Sequence, residues 1–311
     1  EELQKNMTKL SVLQFSYSTL NGKADDSISE TGTDRSHKDD ANDAQGDALQ
    51  VSQIKYPKGS KLGNALHSIF ENLKFKEFGV SVKTLESAKN HAQLINLIDE
   101  HFKKQGLPIW KHQKEWTGYT VEIVWNTLHG ELPVIAGGKR IDETFPLVSI
   151  PTNCIKKECQ FNVNATLAEC GVASDYIGRM FKGFMDVIFV RSDRYSILDW
   201  KSDVLENDIY SSAAVQAKVD EEYSIQRVLY SYCLIKWLKQ FYPEKSDEEI
   251  FEQHFGGIYY VFLRGTCEGK GSGIYAHTWK TFDDLQKAFD KLKGLMTKKK
   301  TLAKEGDDDN D

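Results

Sequence analysis

The stretch Gly183-Phe184-Met185-Asp186-Val187-Ile188-Phe189-Val190, then Arg191-Ser192-Asp193-Arg194, then Tyr195-Ser196-Ile197-Leu198-Asp199-Trp200-Lys201, decides how this chain is read. Two β-rich apolar runs flank a polar tetrad, the pattern of a hairpin. A turn centred on Ser192 and Asp193 sets Asp186 opposite Asp199 across the ladder, and strand alternation brings Lys201 to the same face. Two opposed carboxylates at the end of an apolar hairpin repel each other, a cost that a cation between them removes. Oxygen ligands without an accompanying cysteine point to Mg²⁺ or Mn²⁺ rather than Zn²⁺, and a lysine beside such an ion suits a phosphate ester. On the residues alone a second reading stays open, a surface hairpin whose two aspartates and lysine form a solvated ion pair.

Downstream, Tyr223-Ser224-Ile225-Gln226-Arg227-Val228-Leu229-Tyr230 opens a run with apolar residues at helical spacing. Tyr223, Gln226 and Tyr230 are three and four residues apart, so they project from about one face and could meet a phosphate backbone together. An aromatic stripe packed into the core is the other reading of the same spacing.

An aspartate strand, an Asp-x-Lys strand and a Gln-x-x-x-Tyr helix, in this order, resemble the RecB branch of the PD-(D/E)xK nucleases. Three further segments are similar to the C-terminal nuclease domain of that family: Tyr56 to Glu71 (YPKGSKLGNALHSIFE), Met180 to Asp186 (MFKGFMD) and His254 to Gly265 (HFGGIYYVFLRG). The resemblance runs from about Leu13 to near Leu295. It implies an α/β fold with a restriction-endonuclease-like core, a central mixed β-sheet flanked by helices. It also implies roles for single residues. Asp186 and Asp199 would bind metal, with the Trp200 carbonyl as a backbone ligand, and Lys201 would be the catalytic lysine. His67, on an early helix with Gly63, Phe70 and Glu71 on its face, would complete the metal shell. Glu158 matches the acidic residue on the strand before the hairpin. Gln226 and Tyr230 match the motif that positions DNA, and Tyr223 shares their face. The implied activity is Mg²⁺-dependent phosphodiester hydrolysis, with Mn²⁺ able to substitute, on single- and double-stranded DNA. The number of metals stays open.

Trp200 stands where relatives often carry Tyr, a change suited to a position that offers only its carbonyl. The cysteines are Cys154, Cys159, Cys170, Cys233 and Cys267, without a C-x-x-C pair, so no iron–sulfur cluster is expected. Gly269-Lys270-Gly271-Ser272-Gly273 lacks the spacing of a phosphate-binding ATP loop. Without an ATP site, the chain reads as the nuclease part of a longer parent whose helicase part lies elsewhere in that chain. The resemblance implies RecC-like gamma and RecD-like alpha subunits as partners in DNA-end processing for recombination. Two other classes are weighed against it. A catalytically silent module kept for DNA binding or subunit contacts usually lacks the Asp or Lys positions, which are all present here. A phosphoesterase for small substrates has no use for the Gln-x-x-x-Tyr helix.

The 311 residues are 40% hydrophobic and 11% aromatic, enough for a sizeable core, with no apolar run long enough to span a membrane. Scattered cysteines and no signal peptide suit a reducing cytoplasm. The net charge of −6 is uneven. Residues 21–50 carry eight acidic and three basic side chains, and residues 305–311 carry five acids and no base. Setting aside these two net −5 segments leaves the remainder at +4, the sign that phosphate binding prefers. Residues 21–50 have too few large apolar side chains to offset the entropy of ordering, so a disordered acidic insertion is expected there. The expected organisation is a nuclease domain over 1–303 and an acidic tail over 304–311. Helices are expected at about 62–105, 111–128, 223–241 and 282–296, with a strand at 257–263.

Overall fold

A computed structural model describes residues 13–15, 56–107, 109–165 and 179–292. The expected acidic insertion and tail fall outside the described residues. The hairpin forms as read. Strand β5 (Arg179–Arg191) and strand β6 (Arg194–Lys201) are antiparallel, with rungs from Val187↔Leu198 to Arg191↔Arg194. Ser192 and Asp193 take φ of 50° and 59°, the left-handed pair that matches hairpin twist. The ladder stops at Val187↔Leu198. Beyond it Asp199, Trp200 and Lys201 pair only with Tyr260, Val261 and Phe262 of strand β7 (Phe255–Phe262). The expected Asp186–Asp199 rung is therefore replaced by a divergence of the two strands.

The sheet is mixed. Its order is β4 (Ile155–Ala165), β5, β6, β7 and β8 (Ile274–His277), with β6 and β7 parallel. The short strand β1 (Leu13–Phe15) runs parallel to β5 at Arg179–Phe181. Since β4 occupies the other edge of β5 along this stretch, β1 and β6 share one edge and leave a gap between Phe181 and Val187. Asp186 lies in that gap. Two glycines at positive φ, Gly137 and Gly138, turn the separate hairpin of β2 (Glu131–Ala136) and β3 (Lys139–Pro146).

Both faces of the sheet are covered, so β7 is buried throughout its length. One face packs Val187, Phe189, Leu198, Trp200, Tyr259 and Val261 against the β2–β3 hairpin and the first five of the described helices. These are α1 (Ser60–Asn72), α2 (Phe75–Ser81), α3 (Leu85–Lys89), α4 (Ala92–Lys104) and α5 (Ile109–His129). The region expected as helix from 62 to 105 is thus divided. Leu73, Val82 and Thr84 take extended backbone, Thr84 caps α3 through a reciprocal box with Ser87, and His91 caps α4. The opposite face packs Met185, Ile188, Ile197, Tyr260 and Phe262 against the second set of helices. That set comprises α6 (Ser212–Glu222), α7 (Ser224–Leu238), α8 (Asp247–His254) and α9 (282–292). Among the described residues no helix is long and apolar enough to cross a membrane.

Candidate active site

The strand divergence builds the site. Where β6 leaves β5, the Trp200 N–H loses its ladder partner and donates instead to Asp186 Oδ2 at 2.8 Å. A strand residue's N–H and C=O leave by the same edge, so the Trp200 carbonyl also faces the Asp186 side. On the far edge of β5 another rung is missing. Lys157↔Val187 and Cys159↔Met185 pair, but Glu158, at φ 48°, does not pair with Asp186 between them. Positive φ in a residue with a long side chain is uncommon and re-aims it.

Helix α1 supplies the third side. A Cβ on Gly63 would lie 2.8 Å from Ser202 Oγ, so glycine lets the helix settle on the end of β6. Two turns later Phe70 stacks on Trp200 with centroids 4.4 Å apart. Between these anchors His67 Nδ1 comes within 3.3 Å of Asp186 Oδ1. Lys157 ties the helix to β4, its ammonium donating to the carbonyls of Phe70, Glu71 and Leu73 at the C-terminal end of α1. His67, Glu158 and Asp186 thereby offer ligand atoms that lie within 4.8 Å of one another, a possible acidic metal site. Burial opposes a charge on His67, but the charge and hydrogen bond of Asp186, with the charge of Asp199, raise its pKa overall. Burial also opposes ionisation of Asp186, yet His67, the Trp200 N–H and Lys201 hold its carboxyl below the usual range. An imidazole and two carboxylates, with a carbonyl edge beside them, fit a hard divalent cation. Cys159, next to Glu158 in sequence, is buried, which raises its pKa and keeps the sulfur protonated.

Asp199 lies outside that trio, in a second cluster. Its Oδ2 is 2.5 Å from Lys201 Nζ, Lys201 donates to Gln226 Oε1 at 3.1 Å, and Gln226 Nε2 donates to Asp199 Oδ1 at 3.2 Å. These three side chains close a ring on one another with exposures of 3–5%. Burial, with Asp186 nearby, pushes the Asp199 carboxyl up to about 6 against the pull of Lys201. Lys201 Nζ also stands 3.8 Å over the Tyr223 ring and 5.4 Å from the centre of the Tyr260 ring. Tyr223 is buried, and its hydroxyl donates to Asp203. Tyr230 is buried as well, its hydroxyl donating to the Phe184 carbonyl at 2.8 Å, two residues before Asp186.

Reading the sequence alone missed Lys157, Asp203 and Tyr260. Asp203 carried a signal, since it lies two residues beyond Lys201 in the same polar segment. The Gly269–Gly273 loop has a packing task. A Cβ on Gly271 would overlap the Tyr210 backbone, and one on Gly265 would lie 2.5 Å from the Tyr210 ring, so these glycines seat the segment that follows Lys201. Lys270 pairs with Asp208 in that segment.

The fold defines an α/β protein whose mixed sheet, flanked by helices, is consistent with a restriction-endonuclease-like core. In sequence the chain is similar to RecBCD enzyme subunit RecB. It is 25% identical to the Escherichia coli K12 protein over 236 residues, covering 71% of this chain and 18% of that protein. Identity is 28% over 229 residues to the protein of Buchnera aphidicola subsp. Schizaphis graminum, covering 68% of this chain and 17% of the relative. The Haemophilus influenzae protein is 25% identical over 227 residues, or 71% of this chain and 18% of its own length. The chain spans under a fifth of these relatives, and the match covers their C-terminal nuclease region, so the resemblance read from the motifs holds. No protein-family model matches the chain.

Proposed function

We propose that this chain is a Mg²⁺-dependent deoxyribonuclease of the exodeoxyribonuclease V type, the nuclease module of a RecBCD-type helicase–nuclease that processes DNA ends for recombinational repair. The observation that carries this reading is the placement of the closed Asp199–Lys201–Gln226 ring beside the His67–Glu158–Asp186 trio, at the point where β5 and β6 part.

His67, Glu158 and Asp186 would hold the cation, with Asp199 and the Trp200 carbonyl on the adjoining edge. When bound, the cation supplies Lewis acidity toward a phosphoryl oxygen and lowers the pKa of the attacking water. Lys201 presents its ammonium in a fixed direction, set by Asp199 and Gln226, and donates to the phosphoryl oxygen as negative charge builds there. A preorganised contact of this kind is worth roughly 3 kcal/mol in the transition state. Gln226 and Tyr230 position the DNA by fixing Lys201 and the β5 backbone at Phe184, and Tyr223 serves by bearing on the Lys201 ammonium. In the parent assembly the module would work with a helicase in the same chain and with RecC-like and RecD-like subunits, in the cytoplasm.

Incubating linear and circular single-stranded DNA with the protein tests this reading. Cutting with Mg²⁺ that is lost in EDTA and in Lys201→Ala supports it, and cutting of circles adds endonuclease capacity. DNA binding without cutting under any of these conditions would favour a silent binding module instead.

A further inference from the structure

The Lys201 ammonium has three N–H donors. Asp199 and Gln226 engage it at 2.5 and 3.1 Å, and the Tyr223 ring lies 3.8 Å away. Tyr223 sits where α6 ends and α7 begins, so both helices fix its backbone. Its ring stacks on Tyr260 with centroids 5.7 Å apart. A buried phenol needs an acceptor. Here the acceptor is a carboxylate, because the Tyr223 hydroxyl lies 2.9 Å from each Asp203 oxygen. Asp203 is held in turn by Lys218 at 3.5 Å, and its main-chain carbonyl accepts from the Tyr210 hydroxyl at 2.8 Å.

We infer that Asp203 is a positioning residue that acts through the Tyr223 ring to aim Lys201, an inference that rests on the nuclease reading above. A hydrogen bond to a carboxylate is shorter and stronger than a neutral one, so it fixes where the outer end of the ring lies against Lys201. It also draws on the phenolic proton and enriches the ring face that attracts the ammonium. Asp203 touches neither metal nor DNA in this role. Its effect reaches the reaction as the direction in which Lys201 points.

Two measurements test this. In Mg²⁺-saturated cleavage, Asp203→Ala and Tyr223→Phe each lower kcat about tenfold. KM for DNA stays within about twofold, as expected for an effect confined to the transition state. The double variant is no slower than the slower single, because both changes remove the same hydrogen bond. Asp203→Asn, which keeps an acceptor, recovers most of the rate, and Lys218→Met stays within about twofold of the parent. Additive losses in the double variant, a KM effect in place of a kcat effect, or an equal loss from Lys218→Met would overturn the inference.

The second measurement does not depend on activity. With ¹³C-labelled lysine, the Lys201 ε-CH₂ protons, assigned by their absence in Lys201→Arg, resonate upfield of other lysines through the Tyr223 ring current. They move downfield in Asp203→Ala, and in Asp203→Asn to a smaller extent should the alanine variant not fold. An unmoved resonance refutes the inference whatever happens to kcat. Should the unsubstituted protein cut no DNA while the resonance moves as stated, the nuclease reading fails and the seat for Lys201 stands.

Discussion

His67, Glu158 and Asp186 come from a helix and two strands and keep partial access to solvent, His67 and Asp186 at 15% and 12%. Asp199, Lys201 and Gln226 come from one strand and one helix and are nearly sealed, with their polar atoms turned on each other. The open cluster is made by what the sheet fails to do, since two missing rungs and a left-handed Glu158 release side chains that regular pairing would have spent on the pleat. The sealed cluster is made by regular structure, strand alternation against a helix face. The difference suggests a division of work: the open cluster can accept an ion and its waters, and the sealed one can hold a charge in a set direction with little reorganisation.

If the division holds, the two clusters fail separately. Lys201→Ala has the largest expected effect, a fall in kcat of roughly a hundredfold or more, with Mn²⁺ binding retained. Asp186→Asn weakens Mn²⁺ binding, followed by calorimetry, by at least the roughly hundredfold that changes outside the ligand set can reach. Lys157→Met, which frees three carbonyls at the end of α1, costs about 2 kcal/mol in urea denaturation and loosens His67 with it. The smallest effect is a pH dependence of the metal-free protein. Asp199 has a folded pKa raised to about 6, so the stability tied to its proton is present at about pH 4 and is lost as pH rises through 6. His67 is raised too, and its contribution is present below about 6.5 and lost above it. In EDTA, stability should therefore decline from pH 5 to pH 8, by at most about 1.4 kcal/mol per unit for each group. Asp199→Asn flattens the lower part of that slope and His67→Gln the upper part. A flat metal-free profile would remove the electrostatic side of the comparison.

The sealed cluster was legible in part. Apolar alternation and a two-residue turn fix the hairpin register, so the shared face of Asp199 and Lys201 follows, whereas Gln226 came from motif resemblance and its contact with both was not foreseen. His67 and Glu158 were found through motif resemblance, because their approach to Asp186 depends on a helix–strand contact at Gly63 and a backbone conformation at Glu158 that local pattern does not encode. The partners of Tyr223 were not legible for a related reason. Spacing places a tyrosine on a helix face, but only packing shows whether that face meets solvent or Lys201 and Asp203. Gly137-Gly138 was a readable hairpin signal that passed unused. The glycines around Lys270 lack phosphate-loop spacing, and of the two that flank it Gly271 is clearance for the Tyr210 backbone while Gly269 faces open space.

The most direct test measures Mn²⁺ binding and DNA cleavage side by side in Lys201→Ala and Asp186→Asn. The account predicts that Lys201→Ala binds Mn²⁺ like the parent and does not cut, while Asp186→Asn loses both. Cleavage by Lys201→Ala, or undiminished Mn²⁺ binding by Asp186→Asn, would contradict it.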